Sequence, residues 1–175
     1  MKTFEFTLKF SIQGDKTNTD SIVEKLAEAG CNDALIGLGQ SGRIALNFDR
    51  EAKTALAAVS SAITDVKSAI PSARLIEATP DLVGLSDLAD LAQCSRQNMR
   101  KIMLNSGQNF PAPLHEGKVS LWHLSNVLIW LRDEKHYIFD DALLEVAKIT
   151  MQLNIAREAR AMDASLQHRI QRLMS

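Results

Sequence analysis

Hydrophobic and polar positions alternate with a period of two over residues 3–12, TFEFTLKFSI. Phe4, Phe6, Leu8 and Phe10 fall on one side, and Glu5, Thr7 and Lys9 on the other. That period predicts a half-buried strand. It lengthens over residues 20–29, where Ile22, Val23, Leu26 and Ala29 gather on one side and Gly30 ends the run. A helix is predicted there. Two short apolar runs, residues 34–38 and 43–48, are joined by Gly39-Gln40-Ser41-Gly42 and predict a hairpin. An alanine-rich helix is expected over residues 50–69, stopped before Pro71, and a short strand over 73–78. The order β-α-β-β-α-β is that of a ferredoxin-like split βαβ domain. Thr79-Pro80-Asp81 breaks the pattern and is expected to end that domain.

Two short helices are predicted over residues 85–104, separated by Gln93-Cys94-Ser95. Residues 107–121 contain Gly107, Pro111, Pro113 and Gly117 and leave room for a hairpin. A helix follows over 123–133, with Leu124, Val127, Leu128 and Leu131 on its packed side. One or two long helices follow over 139–173. Their apolar residues run Leu143, Val146, Ile149, Leu153, Ala156, Ala159, Met162, Leu166, Ile170 and Leu173, three or four apart. A stripe of that length exceeds what a small domain buries by itself. It predicts a homodimer or a larger homo-oligomer, the alternative being that it folds back on the amino-terminal domain. The expected fold class is α+β in three parts: residues 1–80, 81–135 and 136–175.

The chain has 175 residues, 46% hydrophobic and 23% charged, ordinary for a globular chain of one large domain or two small ones. Its longest unbroken aliphatic or aromatic run is Val127 to Leu131, so no membrane helix is expected. The first ten residues carry Lys2, Glu5 and Lys9 and lack a signal-peptide core. Cys31 and Cys94 have no CxxC spacing and read as two buried thiols in a reducing, cytoplasmic setting. The net charge of −1 gives no global pull toward nucleic acid. The charges of residues 81–135 are nevertheless sorted. Asp81, Asp87 and Asp90 come first, then Arg96, Arg100, Lys101 and Lys118 against Glu116 alone. A neutral segment sorted in this way can present a local positive face.

Gly37-Leu38-Gly39-Gln40-Ser41-Gly42 matches G-x-G-x-x-G. A dinucleotide site needs a helix to open next, so that its N-terminus meets the pyrophosphate. The next residues, RIALNFD, read as a strand, so a hairpin and no nucleotide cofactor are expected. His115, His123, His136 and His168 lack metal-ligand spacing. Asp140-Asp141 precede a helix, where they favour its positive end. No catalytic constellation is present, and the chain is not expected to be an enzyme.

Residues 85–104 carry the informative pattern. With Leu85 as first position of a helix-turn-helix, Leu88, Ala92, Cys94, Met99 and Ile102 take its apolar positions. Ala89 falls where a small residue lets two helices approach, and Ser95 at the cap of the second helix. Met99, Ile102 and Met103 then turn inward. At about 100° per residue, Gln97, Arg100 and Lys101 turn outward with Arg96 on the shoulder. Arginine bonds two acceptors on guanine, glutamine pairs with adenine, and lysine suits phosphate. An ordinary helical hairpin with a solvated charged face fits the same pattern.

The run Gly107-Gln108-Asn109-Phe110-Pro111-Ala112-Pro113, then Leu121-Trp122-His123, then Ser125-Asn126-Val127-Leu128-Ile129-Trp130-Leu131, extends this reading. Over residues 82–132 the chain resembles the winged helix-turn-helix domains of phage excisionases and AlpA-like regulators, within the MerR-like group. The resemblance implies binding of double-stranded DNA, with the second helix in the major groove and a hairpin wing on the adjacent backbone. Carried over by position, it implies that Ser95, Arg96, Gln97, Arg100, Lys101 and the wing around His115 and Lys118 face DNA. The turn position often held by glycine is Gln93, which then needs a left-handed backbone or a different turn. Trp122 and Trp130 are expected as core anchors. The functional expectation is a DNA-binding transcription regulator of bacterial or phage type, acting as a homo-oligomer. The alternatives are a protein-interaction module, such as an antitoxin or defence-system accessory, and a phage packaging adaptor.

Overall fold

A computed structural model of the chain describes residues 1–12 and 19–174. The alternation in the first residues produces β1 (Lys2–Ser11), whose Phe4, Phe6, Leu8 and Phe10 are at most 2% exposed. β1 pairs on one side with β3 (Arg43–Ala52) and on the other with β4 (Arg74–Thr79). β2 (Ala34–Gln40) pairs with β3, giving a four-stranded antiparallel sheet in the order β2-β3-β1-β4. Inward residues of the sheet form one core with α1 (Thr19–Glu28) and α2 (Ala55–Ala69). On the other side of β1 and β3, Glu5, Lys9 and Asn47 are exposed.

β2 and β3 turn through Ser41-Gly42, and Gly42 has φ +73°, a left-handed conformation that glycine adopts without a Cβ clash. The glycine-rich run therefore opens onto a strand and not onto a helix.

The expected helix over 50–69 begins five residues later. Arg50, Glu51 and Ala52 continue β3 opposite Phe4, Thr3 and Lys2. α2 starts only after Thr54, whose hydroxyl accepts from the Ala57 N–H at 3.2 Å. A tertiary interaction holds Arg50 in the strand. Its Nε and Nη2 donate to the two oxygens of Asp33 at 2.7 and 2.9 Å. Its Nη1 donates to Asp65 at 2.6 Å and to Ser61 at 3.1 Å, and its Nη2 to the Gly30 carbonyl at 3.0 Å. All five guanidinium N–H donors are thus used. The guanidinium also lies 4.9 Å from the Phe48 ring centroid.

A second core gathers around α3 (Leu85–Leu91), α4 (Arg96–Ser106) and α5 (Leu124–Lys135). The short strands β5 (Leu82–Val83) and β6 (Trp122–His123) pair antiparallel beside it. Phe110 packs edge-on against both Trp122 and Trp130, with centroids 6.0 and 4.9 Å away. The Trp122 indole N–H donates to the Pro111 carbonyl at 3.0 Å. Both tryptophans thus serve packing.

α6 (Asp141–Ala159) joins the two cores. Ala142 and Val146 enter the first, with Ile149 and Leu153 packed against it, while Leu144 and Ala147 enter the second. Asn154 closes the junction. Its Oδ1 accepts from the Ala78 N–H at 2.9 Å, and its Nδ2 donates to the Ala78 carbonyl and to Asp81 Oδ2, both at 2.8 Å. Buried Asp81 also meets His123 Nδ1 at 2.7 Å. The front half of the apolar stripe expected to need a partner copy therefore finds its cover within the same chain. A helix lodged between two cores buries more than one side of its circumference.

α7 (Ala164–Met174) contributes no residue to either core. Asp163 starts it by accepting from the Leu166 N–H and from the hydroxyl and N–H of Ser165, which hold its carboxyl below the usual range. None of its residues is buried, and Leu166, Leu173 and Met174 are exposed. Of the two cysteines expected to be buried, Cys31 is, while Cys94 is partly accessible. Burial pushes the Cys31 thiol up to about 11. Among the described residues no helix is long and apolar enough to cross a membrane.

Candidate nucleic-acid interface

α3 begins after Gly84, whose N–H donates to Asp87 at 2.7 Å. It buries Leu88 and Ala89, and the small Ala89 leaves room for α4. Gln93 takes φ +51°, the left-handed conformation, and the Cys94 N–H then reaches back to the Ala89 carbonyl at 2.9 Å. The turn is thus made without glycine. Ser95 caps α4, its hydroxyl accepting from the Asn98 N–H at 3.1 Å. Serine-to-alanine replacement of such a cap costs about 1 kcal/mol. Ser95→Ala should therefore lower the urea midpoint of unfolding with an unchanged slope.

Met99 is fully buried, and Met103 packs against the same core. Gln97, Arg100, Lys101 and Leu104, at helical spacing on the other side, are exposed, as are Ser95 and Arg96. A shallow groove of about 480 Å³ runs along this face and is bounded by Ser95, Gln97, Arg100 and Lys101.

A hairpin closes the other flank. The Leu114 N–H donates to the Leu121 carbonyl at 2.8 Å, and the Leu121 N–H to the His115 carbonyl at 3.0 Å. Its tip spans residues 116–120. The His115 ring lies over Gly117 so closely that a Cβ there would stand 2.7 Å from its Nε2. Any side chain at position 117 would displace the ring. Between α4 and the hairpin lies a groove of about 300 Å³ lined by Arg96, Arg100, Leu104, Lys118 and Val119 among others.

Six of the seven residues expected to face DNA therefore line two grooves that share Arg100. His115, the seventh, is exposed at the base of the hairpin and lines neither. Arg96, Arg100, Lys101 and Lys118 make no ion pair among the described residues. Of the acids in residues 81–135, Asp81 is bound inside the fold, Asp87 accepts from the Gly84 N–H and Asp133 pairs with Arg132, while Glu116 stays exposed on the hairpin tip. The cations are left available to an external anion. Leu104 and Val119, 63% and 62% exposed, flank them and were not singled out by the charge pattern.

No protein-family model, curated protein or solved structure matches the chain. Among the described residues no three of His, Cys, Asp and Glu stand close enough to hold a metal ion.

Proposed function

We propose that the chain is a sequence-specific DNA-binding regulator. In this reading α3, α4 and the hairpin of residues 114–121 act as a winged helix-turn-helix, and the amino-terminal βαββαβ unit is a ferredoxin-like domain. The observation that carries it is the exposed face of α4. Gln97 and Arg100 stand one turn apart, with Lys101, Arg96 and Lys118 beside them and none of these cations ion-paired among the described residues. Side chains of these types on one helix face suit base edges in the major groove, and Lys118 suits a phosphate on the adjacent backbone. One such unit offers few phosphate contacts, so its affinity is low and salt-sensitive. A homo-oligomer would multiply it by engaging two half-sites. The exposed apolar side chains of α7 are the surface offered for that assembly. The working location is the cytoplasm.

The test is selection of duplexes from a random library by the full chain, followed by salt titrations on the enriched site and a scrambled one. An enriched sequence with a linear salt slope is expected, and no enrichment rejects the reading. Lys118→Ala should weaken both duplexes by a similar factor and lower the salt slope by about one unit.

Exposed Leu104 and Val119 favour a second reading, in which the same groove takes a protein partner. Such a module would act as an antitoxin or defence accessory. Failure of the selection, together with loss of a co-purifying partner on Leu104→Glu, would favour it.

A further inference from the structure

A cavity lined by no residue of α4 lies at one end of the sheet domain. It is a cleft of about 650 Å³ between the end of α2, the start of β4 and the last turns of α6. Ligand pockets commonly measure about 300–1,000 Å³. Its apolar floor includes Ile63, Leu75 and Leu153. Among the described residues its charged lining is of one sign: Lys67, Arg74, Arg157 and Arg160, with no acidic side chain.

Two ordinary explanations account for part of this charge. Lys67 and Arg157 lie in the last turns of α2 and α6, where cations complement the helix dipole. Arg157 also pairs through Nη2 with Glu158. Each helix end carries about half a negative charge, and Glu158 one more. Those together offset two of the four positive charges and leave about two. The other three cations, Lys67, Arg74 and Arg160, make no ion pair among the described residues.

We propose that this cleft binds a small phosphomonoester with an apolar body. A phosphomonoester carries about −1.5 to −2 charge at pH 7, matching the uncompensated excess, and its oxygens accept bidentate bonds from arginine. The apolar body covers the floor formed by Ile63, Leu75 and Leu153. The site spans α2, β4 and α6, so the ligand ties the carboxy-terminal end of α6 to the sheet domain. The inference stands independently of DNA binding, because none of its residues lies on α4 or on the hairpin.

The probe is 1-naphthyl phosphate, with 1-naphthol and inorganic phosphate as partial ligands, measured on the full chain by calorimetry and thermal unfolding. At ten times its Kd the phosphate should raise the unfolding midpoint by about 3–6 °C. 1-Naphthol should bind at least about tenfold more weakly, since it lacks the charge-assisted bonds. Arg157→Gln and, separately, the exposed Arg74→Gln should each weaken 1-naphthyl phosphate about tenfold. Lys53→Gln, outside the cleft, should not. The second arginine keeps the test valid if Arg157→Gln fails to fold. The proposal is overturned if millimolar 1-naphthyl phosphate leaves the midpoint unmoved, or if 1-naphthol binds as tightly. It is equally overturned if Lys53→Gln weakens binding as much as the cleft variants do. If Arg74→Gln weakens a scrambled DNA duplex but not 1-naphthyl phosphate, the cleft is a nucleic-acid surface and the proposal fails.

Discussion

Replacing Arg50 with alanine should destabilise the chain by about 3 kcal/mol and lower its thermal midpoint by about 6–12 °C. Arg50 is 7% exposed and uses every N–H it has, on Asp33, Asp65, Ser61 and the Gly30 carbonyl. Removing it leaves two carboxylates facing each other's partnerless space. Breaking a buried pair from one side typically costs about 3–5 kcal/mol. The lower end applies because the Asp33 and Asp65 side chains keep 31% and 27% of their exposure. The effect should also depend on pH in a defined direction. Hydrogen bonds from Arg50 hold the Asp33 carboxyl below its usual range. A group depressed in the folded state contributes stability above its unfolded pKa, about 3.9 for aspartate, and loses it as pH falls through the folded value. The gap between wild type and Arg50→Ala should therefore be full at pH 6 and narrow progressively below about pH 4. Urea titrations at pH 6, 4 and 3 check this, and a gap that widens toward acid would contradict the assignment.

Arg100→Ala should abolish most of the preference for the selected DNA site while leaving binding to scrambled duplex reduced by a smaller factor. Arg100 is exposed at the middle of α4 and lines both grooves, with Gln97 one turn before it. A bidentate arginine–guanine contact contributes about 1–3 kcal/mol of discrimination, or about 5- to 150-fold. Because Met99 beside it carries the packing, the substitution should leave the unfolding midpoint nearly unchanged. Anisotropy titrations on both duplexes, read as a ratio, make the measurement. An intact ratio would mean that α4 presents another face to DNA, and an unchanged affinity for both would pass the groove to the protein-partner reading. Comparison with Lys118→Ala separates base contact from phosphate contact, since only the former should change the ratio.

The local periodicities carried most of the secondary structure. Alternation in residues 3–12 and the three-to-four spacing in 85–104 each depend on neighbours along the chain, which the sequence itself contains. The outward face of α4 was legible for the same reason, because a fixed rotation per residue settles which side Met99 leaves for Gln97, Arg100 and Lys101. At Gln93 the sequence left a left-handed backbone or a different turn open, and the structure has the left-handed one.

What local spacing could not decide was every contact between segments distant in sequence. Residues 50–52 have helical neighbours on one side, yet they stay in β3 because β1 pairs with them and Asp33 and Asp65 hold Arg50. The apolar stripe of 143–173 has one period throughout, but its first half is covered by two cores of the same chain and α7 is not. Lys118 joins Arg96 and Arg100 only through the path of the hairpin. Lys67, Arg74, Arg157 and Arg160 share a cleft although Arg157 lies about eighty residues downstream of Arg74. A helix or strand is specified by the spacing of side chains within it, whereas a shared groove depends on where the chain returns. That return is set by the burial of α6 between the two cores and by the Asn154 bonds that hold it to residues 78–81.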